Sequence, residues 1–190
     1  MKLNSLLLGA LFASAALLGQ SASAADIART TALVTESDGV GGFNANFGDN
    51  FAASTVGSNF SDLFTFTVGS GFDSAGSVTS SYLQSTKIKD LQITGFSLVQ
   101  YDPVTLTVGT SIAGIDQTGP GAHPTDSWSL SAFGLSSGTY AIKVDGKVVG
   151  NGGGAFGGDL TIAAVPEPET YGMLLAGLGL VGFMARRRKA

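Results

Sequence analysis

The sequence predicts an all-β fold, a jelly-roll-like β-sandwich that lies between two terminal segments of a different kind. Between Ala25 and Val165 it consists of short runs in which apolar and polar residues alternate, separated by glycines. No eleven-residue window in this stretch carries a helical apolar stripe free of glycine. Because alternation with a period of two is typical of strands with one buried face, we expect roughly six to nine short strands in two packed sheets.

The clearest strand runs from Phe60 to Val68. One of its faces carries four apolar residues together with Asp62, and the other face carries mostly Ser and Thr. Further runs with the same alternation are residues 90–100, 105–108, 126–130, 139–144 and 160–162. Gly95 interrupts the alternation of the first of these, which indicates a change of phase within that strand.

Two glycine-containing segments predict connections between strands. Asp145-Gly146 stands between Lys143-Val144 and Lys147-Val148, and this spacing is typical of a two-residue hairpin turn. The glycine-rich residues 151–158 lack the Lys-Ser/Thr pair and the following helix of a phosphate-binding loop. We therefore interpret them as a flexible connection.

Composition excludes several classes of function for the middle of the chain. The whole chain has a net charge of −4, but residues 25–165 hold five basic residues against twelve acidic ones, a net charge of −7. Nucleic-acid binding requires Lys and Arg set against phosphate, so an acidic domain argues against it. The chain has no cysteine, which excludes disulfides, thiolate catalysis and zinc–thiolate sites.

Residues 1–24 have the layout of a secretory signal peptide. A short basic start is followed by an apolar run over residues 6–18, and then by Ala22 and Ala24 in an A-x-A pattern. We expect cleavage after Ala24. The alternative, a retained membrane helix, is disfavoured because a run of this length reaches about 20 Å, whereas the hydrocarbon core of a bilayer is roughly 30 Å thick.

The C-terminal segment combines three features. Pro166, Glu167 and Pro168 come first, and the prolines predict an extended and accessible chain there. An apolar run over Tyr171–Ala185 follows, of marginal length for crossing a membrane. The basic residues after this run are Arg186, Arg187, Arg188 and Lys189. The positive-inside rule keeps such a cluster cytoplasmic and places the preceding domain outside.

This tail resembles the PEP-CTERM sorting signal, which consists of a Pro-Glu-Pro motif, one hydrophobic segment and an Arg-rich end. The resemblance implies recognition by an exosortase, a membrane enzyme of Gram-negative bacteria that also make exopolysaccharide. It also implies transient insertion in the inner membrane through Tyr171–Ala185, followed by release to the cell surface or matrix. The expected organisation is a signal peptide over 1–24, an exported domain over 25–164 and a sorting signal over 165–190. The alternative is an ordinary C-terminal membrane anchor.

The string Phe60-Ser61-Asp62-Leu63-Phe64 is similar to the motif of the FxDxF subgroup of PEP-CTERM proteins. That subgroup implies no activity. Asp62 itself has two possible roles, since a carboxylate on an apolar strand face needs partners. It either accepts backbone N–H hydrogen bonds and fixes a loop, or it is a ligand of Ca²⁺, which prefers carboxylate and carbonyl oxygens.

A second oxygen-rich cluster lies in residues 41–50 and includes Asp49. Asn, Asp and Gly tolerate the left-handed backbone of turns, so we interpret this segment as a turn. The alternative is that Asp49 takes part in a calcium site, and no other cofactor is expected.

Two further residue sets bear on function. His123 is the only histidine and is expected in a solvated loop, which argues against a hydrolase because catalysis would need a nucleophile and an acid around it. The aromatic residues that could stack on sugars are Trp128, Tyr82, Tyr101 and Tyr140. In a sandwich such residues more often fill the core.

The sequence therefore predicts a non-enzymatic, exported surface or matrix protein, structural or adhesive and associated with exopolysaccharide. The first alternative is a carbohydrate-binding module with a calcium site. The second is a secreted hydrolase that uses His123.

Overall fold

The computed structural model describes residues 26–83, 88–120, 125–165 and 168–187. Within these ranges the chain forms thirteen strands, one turn of 3₁₀ helix at Ala53–Thr55 and one α-helix, α1 (Pro168–Arg187). The strands are β1 (Ile27–Ala32), β2 (Thr35–Ser37), β3 (Phe43–Ala52), β4 (Asn59–Val68), β5 (Phe72–Ser80), β6 (Tyr82–Leu83), β7 (Ile88–Lys89), β8 (Leu91–Asp102), β9 (Thr107–Ala113), β10 (Ile115–Asp116), β11 (Ser127–Leu135), β12 (Gly138–Val148) and β13 (Gly153–Ala164).

The strands form two main sheets and a small hairpin of β6 and β7. The five-stranded sheet has the order β1-β4-β12-β8-β9, and the six-stranded sheet has the order β10-β11-β5-β13-β3-β2. The pairing of the long strands is nested: β8 pairs with β9, β5 with β11, β4 with β12 and β3 with β13, all antiparallel. This is the arrangement of a long hairpin rolled over into two sheets, the jelly roll.

The inward faces of both sheets supply the core. Buried and exposed residues alternate along the strands, and β4 buries every second residue from Phe60 to Val68, as predicted. The core is rich in phenylalanine: Phe43, Phe47, Phe51, Phe60, Phe64, Phe66, Phe72, Phe96 and Phe156 all belong to one buried cluster. A fully buried ring of this size stabilises the fold by about 1.5–3 kcal/mol. The predicted β-sandwich is confirmed.

The predicted hairpin turn at Asp145-Gly146 is wrong, because β12 runs straight through both residues. Asp145 lies opposite Gly95 and Gly146 lies opposite Ile93, so β8 carries one extra residue at this point. The change of phase expected at Gly95 is therefore a β-bulge. Gly146 is glycine for a packing reason, since a Cβ there would lie 2.3 Å from Cζ of Phe60.

The glycine-rich residues 151–158 are also mostly strand and not a flexible connection. Only Asn151 and Gly152 form a turn, and β13 starts at Gly153. A Cβ on Gly158 would lie 2.4 Å from Cζ of Phe47, so the bare backbone makes room for an aromatic ring. Glycine inside a strand often marks such a close approach.

Helix α1 begins at Pro168, so the prediction of an extended chain is wrong for that residue. Proline fits the first position of a helix because its φ angle is already suitable and its missing N–H would have no partner there. Residues 169–187 of the helix are all exposed. Of the residues described, no helix is long and apolar enough to cross a membrane.

Candidate functional site

Strands β3 and β4 lie opposite each other across the sandwich and form a ladder of side chains. Three aromatic pairs join them, with ring centroids 5.6 Å apart for Phe43 and Phe66, 5.1 Å for Phe47 and Phe64, and 4.6 Å for Phe51 and Phe60. Between the second and third pairs, the inward positions belong to Asp49 on β3 and Asp62 on β4. Two carboxylates thus lie between layers of aromatic rings.

This ladder is made of two F-x-D-x-F strings that run face to face. One is the predicted string that contains Asp62, and the other is Phe47-Gly48-Asp49-Asn50-Phe51. The interpretation of residues 41–50 as a turn is therefore wrong for 43–50, which belong to β3. The asparagines of that strand point outward and Asp49 points inward. The signal that could have revealed the strand was the period of two in Phe43, Ala45 and Phe47, which Phe51 continues.

Asp62 is buried without a hydrogen-bond partner. The residue is 1% exposed, and neither oxygen of its carboxyl group has a hydrogen-bond donor among the described residues. The expected hydrogen bonds from backbone N–H groups are absent because Asp62 lies in the middle of a sheet. It is paired with Arg29 on β1 and with Val144 on β12, so the nearby backbone donors serve the strand ladder.

The pKa of Asp62 is raised to about 7 from an ordinary value of 3.8, chiefly because burial removes the charged form from water. The negative charge of the neighbouring Asp49 acts in the same direction, and Asp145 adds a smaller effect. The charge of Arg29 lowers it. A carboxyl group in such surroundings holds its proton near neutral pH, because the charged form loses the solvation of water.

Arg29 completes the cluster from the edge strand β1. Its guanidinium forms an ion pair with the carboxylate of Asp49 and lies 5.4 Å from the centre of the Phe51 ring. One arginine therefore serves two acids. The guanidinium thus supplies, next to the carboxylate of Asp49, the positive charge that a bound cation would supply in a metal site.

The calcium hypothesis for Asp49 and Asp62 stays a prediction. Calcium takes about six to eight oxygen ligands, and the cluster offers two carboxylates and a competing guanidinium. In the described part of the chain, no group of three or more His, Asp or Glu side chains could hold a metal ion.

A second buried acid was not anticipated from the sequence. Asp126 is 3% exposed and forms an ion pair with Lys89, while its Oδ2 accepts the N–H of Ile93 at 2.7 Å. Its backbone N–H donates to Oγ of Ser80 at 2.9 Å, and its carbonyl accepts the N–H of the same residue at 3.0 Å. Asp126 fixes the segment before β11 to the start of β8 and the end of β5.

The aromatic residues considered for sugar stacking are mostly covered. Tyr140 lies in the main core, and Tyr101 lies in a small second cluster with Val99 and Ala141. Trp128 is half-buried, and its indole N–H has no partner in the described residues. The side chain of Tyr82 lies outside what the structure describes.

A shallow polar groove of about 440 Å³ lies beside Tyr101, where β8 meets β9. Its polar lining includes Gln100, Thr107 and Thr139, and Asp102, which accepts the N–H groups of Val104 and Thr105. The groove is open to solvent and presents hydroxyl and amide groups.

Only part of the predicted sorting signal is described. Pro168 is the first residue of α1, and Arg186 and Arg187 lie exposed in its last turn. Outside the described residues lie Pro166, Glu167, Arg188, His123 and the predicted cleavage residues Ala22 and Ala24.

Comparison with known proteins identifies the tail. Residues 164–189 match the model of the PEP-CTERM protein-sorting motif, which confirms the predicted sorting signal. The match does not extend to the FxDxF subgroup. No curated protein matches the chain. Among solved structures, the chain is similar to the pre-peptidase C-terminal domain of collagenase from Bacillus anthracis, with 16% identity and a TM-score of 0.31, over 71% of this chain and 95% of that chain.

Proposed function

We propose that this chain is a non-enzymatic surface or matrix protein of a Gram-negative bacterium, exported with a signal peptide and sorted by an exosortase. The observation that carries the proposal is the PEP-CTERM sorting motif at residues 164–189. Such a motif implies an exported protein that is held in the membrane during transit. The acidic β-sandwich is then the cargo, and its role is structural or adhesive within extracellular polysaccharide.

The position of the motif in the fold supports this role. The last strand of the sandwich, β13, ends at Ala164, and the backbone N–H of Val165 still donates to the carbonyl of Gly71 at 2.9 Å. All core residues precede this point. Removal of the chain beyond Val165 therefore takes nothing from the core, so the sandwich can survive processing of its tail.

A pair of matched variants tests the sorting step in the native host. Glu167→Gln alters the Pro-Glu-Pro motif, whereas Glu169→Gln makes the same chemical change two residues later, at an exposed position in the first turn of α1. We expect mass spectrometry of wild type and Glu169→Gln to show a mature form that begins at Ala25 and lacks residues 173–190. Glu167→Gln should accumulate with these residues retained. A mature wild-type protein that keeps residues 173–190 would contradict the proposal.

Polysaccharide contact is the second part of the proposal, and the polar groove beside Tyr101 favours it. Gln100 and Thr139 contribute an amide and a hydroxyl to the lining of this groove. Sugars are bound through such groups when they are combined with apolar surface.

Co-sedimentation with exopolysaccharide purified from the host tests this contact. We expect the wild-type chain to sediment with the polymer, and the double variant Gln100→Ala/Thr139→Ala to bind several-fold less. Thr79→Ala, an exposed position on the six-stranded sheet, is the control. Equal binding by all three proteins would remove the groove as the contact site, while the sorting experiment would stand unaffected.

A further inference from the structure

The facing carboxyl groups of Asp49 and Asp62 repel each other when both are ionised, and a single proton on one of them removes this repulsion. With both acids ionised, the cluster would hold two negative charges, on the buried Asp62 and on the partly exposed Asp49, against the one positive charge of Arg29, which already pairs with Asp49. Asp62 would then be a buried anion without a donor. A protonated Asp62 can instead donate to the carboxylate of Asp49, and every member of the cluster then has a partner.

We propose that Asp49 and Asp62 form a proton-binding site that keeps strand β1 closed over the edge of the sandwich. In the closed state the protonated Asp62 donates to Asp49, and Asp49 forms the ion pair with Arg29, which belongs to β1. The inference is independent of the proposed sorting function, since it concerns residues remote in sequence from the tail.

Among the described residues, no other charge near Asp62 could replace the proton. The charged groups that act on it are Asp49 from β3, Arg29 from β1 and Asp145 from β12. Asp145 is negative and has its own partner, Lys143, at 2.6 Å. The inward residues that flank the two acids along β3 and β4 are all phenylalanines, which offer no hydrogen-bond donor to the carboxyl group of Asp62.

Strand β1 is the element that can respond. It lies at the edge of the five-stranded sheet and pairs with β4 alone, in parallel. Five of its six residues are exposed, and Arg29 stands directly opposite Asp62 in the register. Water can reach an ionised Asp62 when β1 moves away. Because the open state solvates the anion and the closed state does not, loss of the proton shifts the equilibrium toward the open state.

Hydrogen exchange of the full-length chain in detergent tests the proposal. We expect the amides of β1 that donate to β4 to be protected at pH 5.5, and to exchange at least about tenfold faster at pH 8.5 after correction for the intrinsic rate. Asp62→Asn carries a neutral side chain that can still donate to Asp49, so it should abolish the extra pH dependence. Asp159→Asn, an exposed position on the outer face of β13, should retain it.

Infrared spectroscopy of the wild type provides a second measurement that needs no variant to fold. A protonated carboxyl band should be present at pH 6 and disappear by pH 8.5, and it should be missing from Asp62→Asn wherever that variant folds. The absence of the band at pH 6 would overturn the proposal. So would an equal pH dependence of β1 exchange in wild type and Asp62→Asn.

Discussion

Asp126 and Asp62 are both buried aspartates, but their hydrogen-bond partners and neighbouring charges differ. Asp126 has an ammonium group, a backbone N–H and two further backbone contacts with Ser80. Asp62 has no donor among the described residues and faces a second acid. The pKa of Asp62 is strongly raised. The comparison shows that two buried carboxyl groups of one domain can have opposite surroundings, a cation and an N–H donor in one case and a second acid in the other.

The position of each residue in its strand explains the difference. Asp126 lies just before β11, and the backbone N–H of Ile93 in β8 donates to its carboxylate. Asp62 lies in the middle of β4 between two strands, where the ladder uses the backbone donors. An acid at a strand end can therefore be charged and structural, while an acid in mid-sheet depends on a side chain from the opposite sheet.

Loss of the partnered acid should have the largest effect. Asp126→Ala leaves Lys89 and the N–H of Ile93 without their acceptor in a largely buried place, so the free energy of unfolding should fall by about 3 kcal/mol. Urea unfolding at pH 6, followed by circular dichroism, measures the change. Asp62→Asn, compared with wild type at pH 4, should stay within about 1 kcal/mol of it, because Asn resembles the protonated acid and the stabilisation from Asp62 is then nearly complete. Equal losses in the two variants would contradict the contrast between these sites.

The pH dependence of stability should come next in size. The pKa of Asp62 is about 7 in the folded state against an ordinary value of 3.8, so the folded state binds the proton more tightly than the unfolded state. The stabilisation from Asp62 is therefore complete below about pH 4 and is lost as the pH rises to 7. Its steepest decline is about 1.4 kcal/mol per pH unit, and the total is on the order of a few kcal/mol. Urea midpoints at several pH values, in wild type and Asp62→Asn, measure it.

Two exposed acids have lowered pKa values, so their effect on stability falls below the range from pH 4 to 7. The N–H of Val104 donates to Asp102 and lowers its pKa, and the hydroxyl of Thr118 does so for Asp116. A lowered pKa contributes stability above pH 3.8 that is lost only as the pH falls further. A decline of wild-type stability between pH 4 and 7 that Asp62→Asn lacks is thus specific to Asp62, and a flat wild-type profile would show that the acid is not desolvated.

The smallest effect should follow from Asp145→Asn. Its ion pair with Lys143 is about one-third exposed and contributes roughly 0–1 kcal/mol. Asp145 is also the weakest of the charges that raise the pKa of Asp62. The midpoint of the Asp62 carboxyl resonance in a ¹³C NMR titration should therefore move down by a fraction of a pH unit. An upward shift, or a shift larger than that caused by Asp49→Asn, would be inconsistent with the arrangement described.

Alternation of apolar residues was enough to predict the sandwich, the buried face of β4 and the irregularity at Gly95. Glycine misled the prediction in three places. Asp145-Gly146, residues 43–50 and the run that ends at Gly158 all have the composition of turns. In the fold, Gly146 and Gly158 give room to the rings of Phe60 and Phe47, their partners in the neighbouring strands. A local pattern cannot distinguish a glycine needed for a turn from one needed for such a contact.

For a similar reason, the sequence predicted Asp62 in the candidate site but not its partners. The spacing of Phe60, Asp62 and Phe64 indicated a carboxylate on an apolar face. Its partners Asp49 and Arg29 come from strands separated from it in sequence, and only the pairing of β1 with β4 and the packing of β3 against β4 bring them together. Those contacts depend on topology, which the alternation of residues does not encode.

The nested pairing of the strands has a consequence for folding. Strand β13 lies in the interior of the six-stranded sheet, between β3 and β5, yet it is the last strand of the chain. Long-range pairing of this kind makes folding slow, because loop closure precedes any reward from contacts. The sheet cannot be completed before the chain is available for pairing as far as residue 164, and the sorting motif begins at that residue. The sandwich can therefore close only when the whole domain, up to the first residue of the sorting motif, is present.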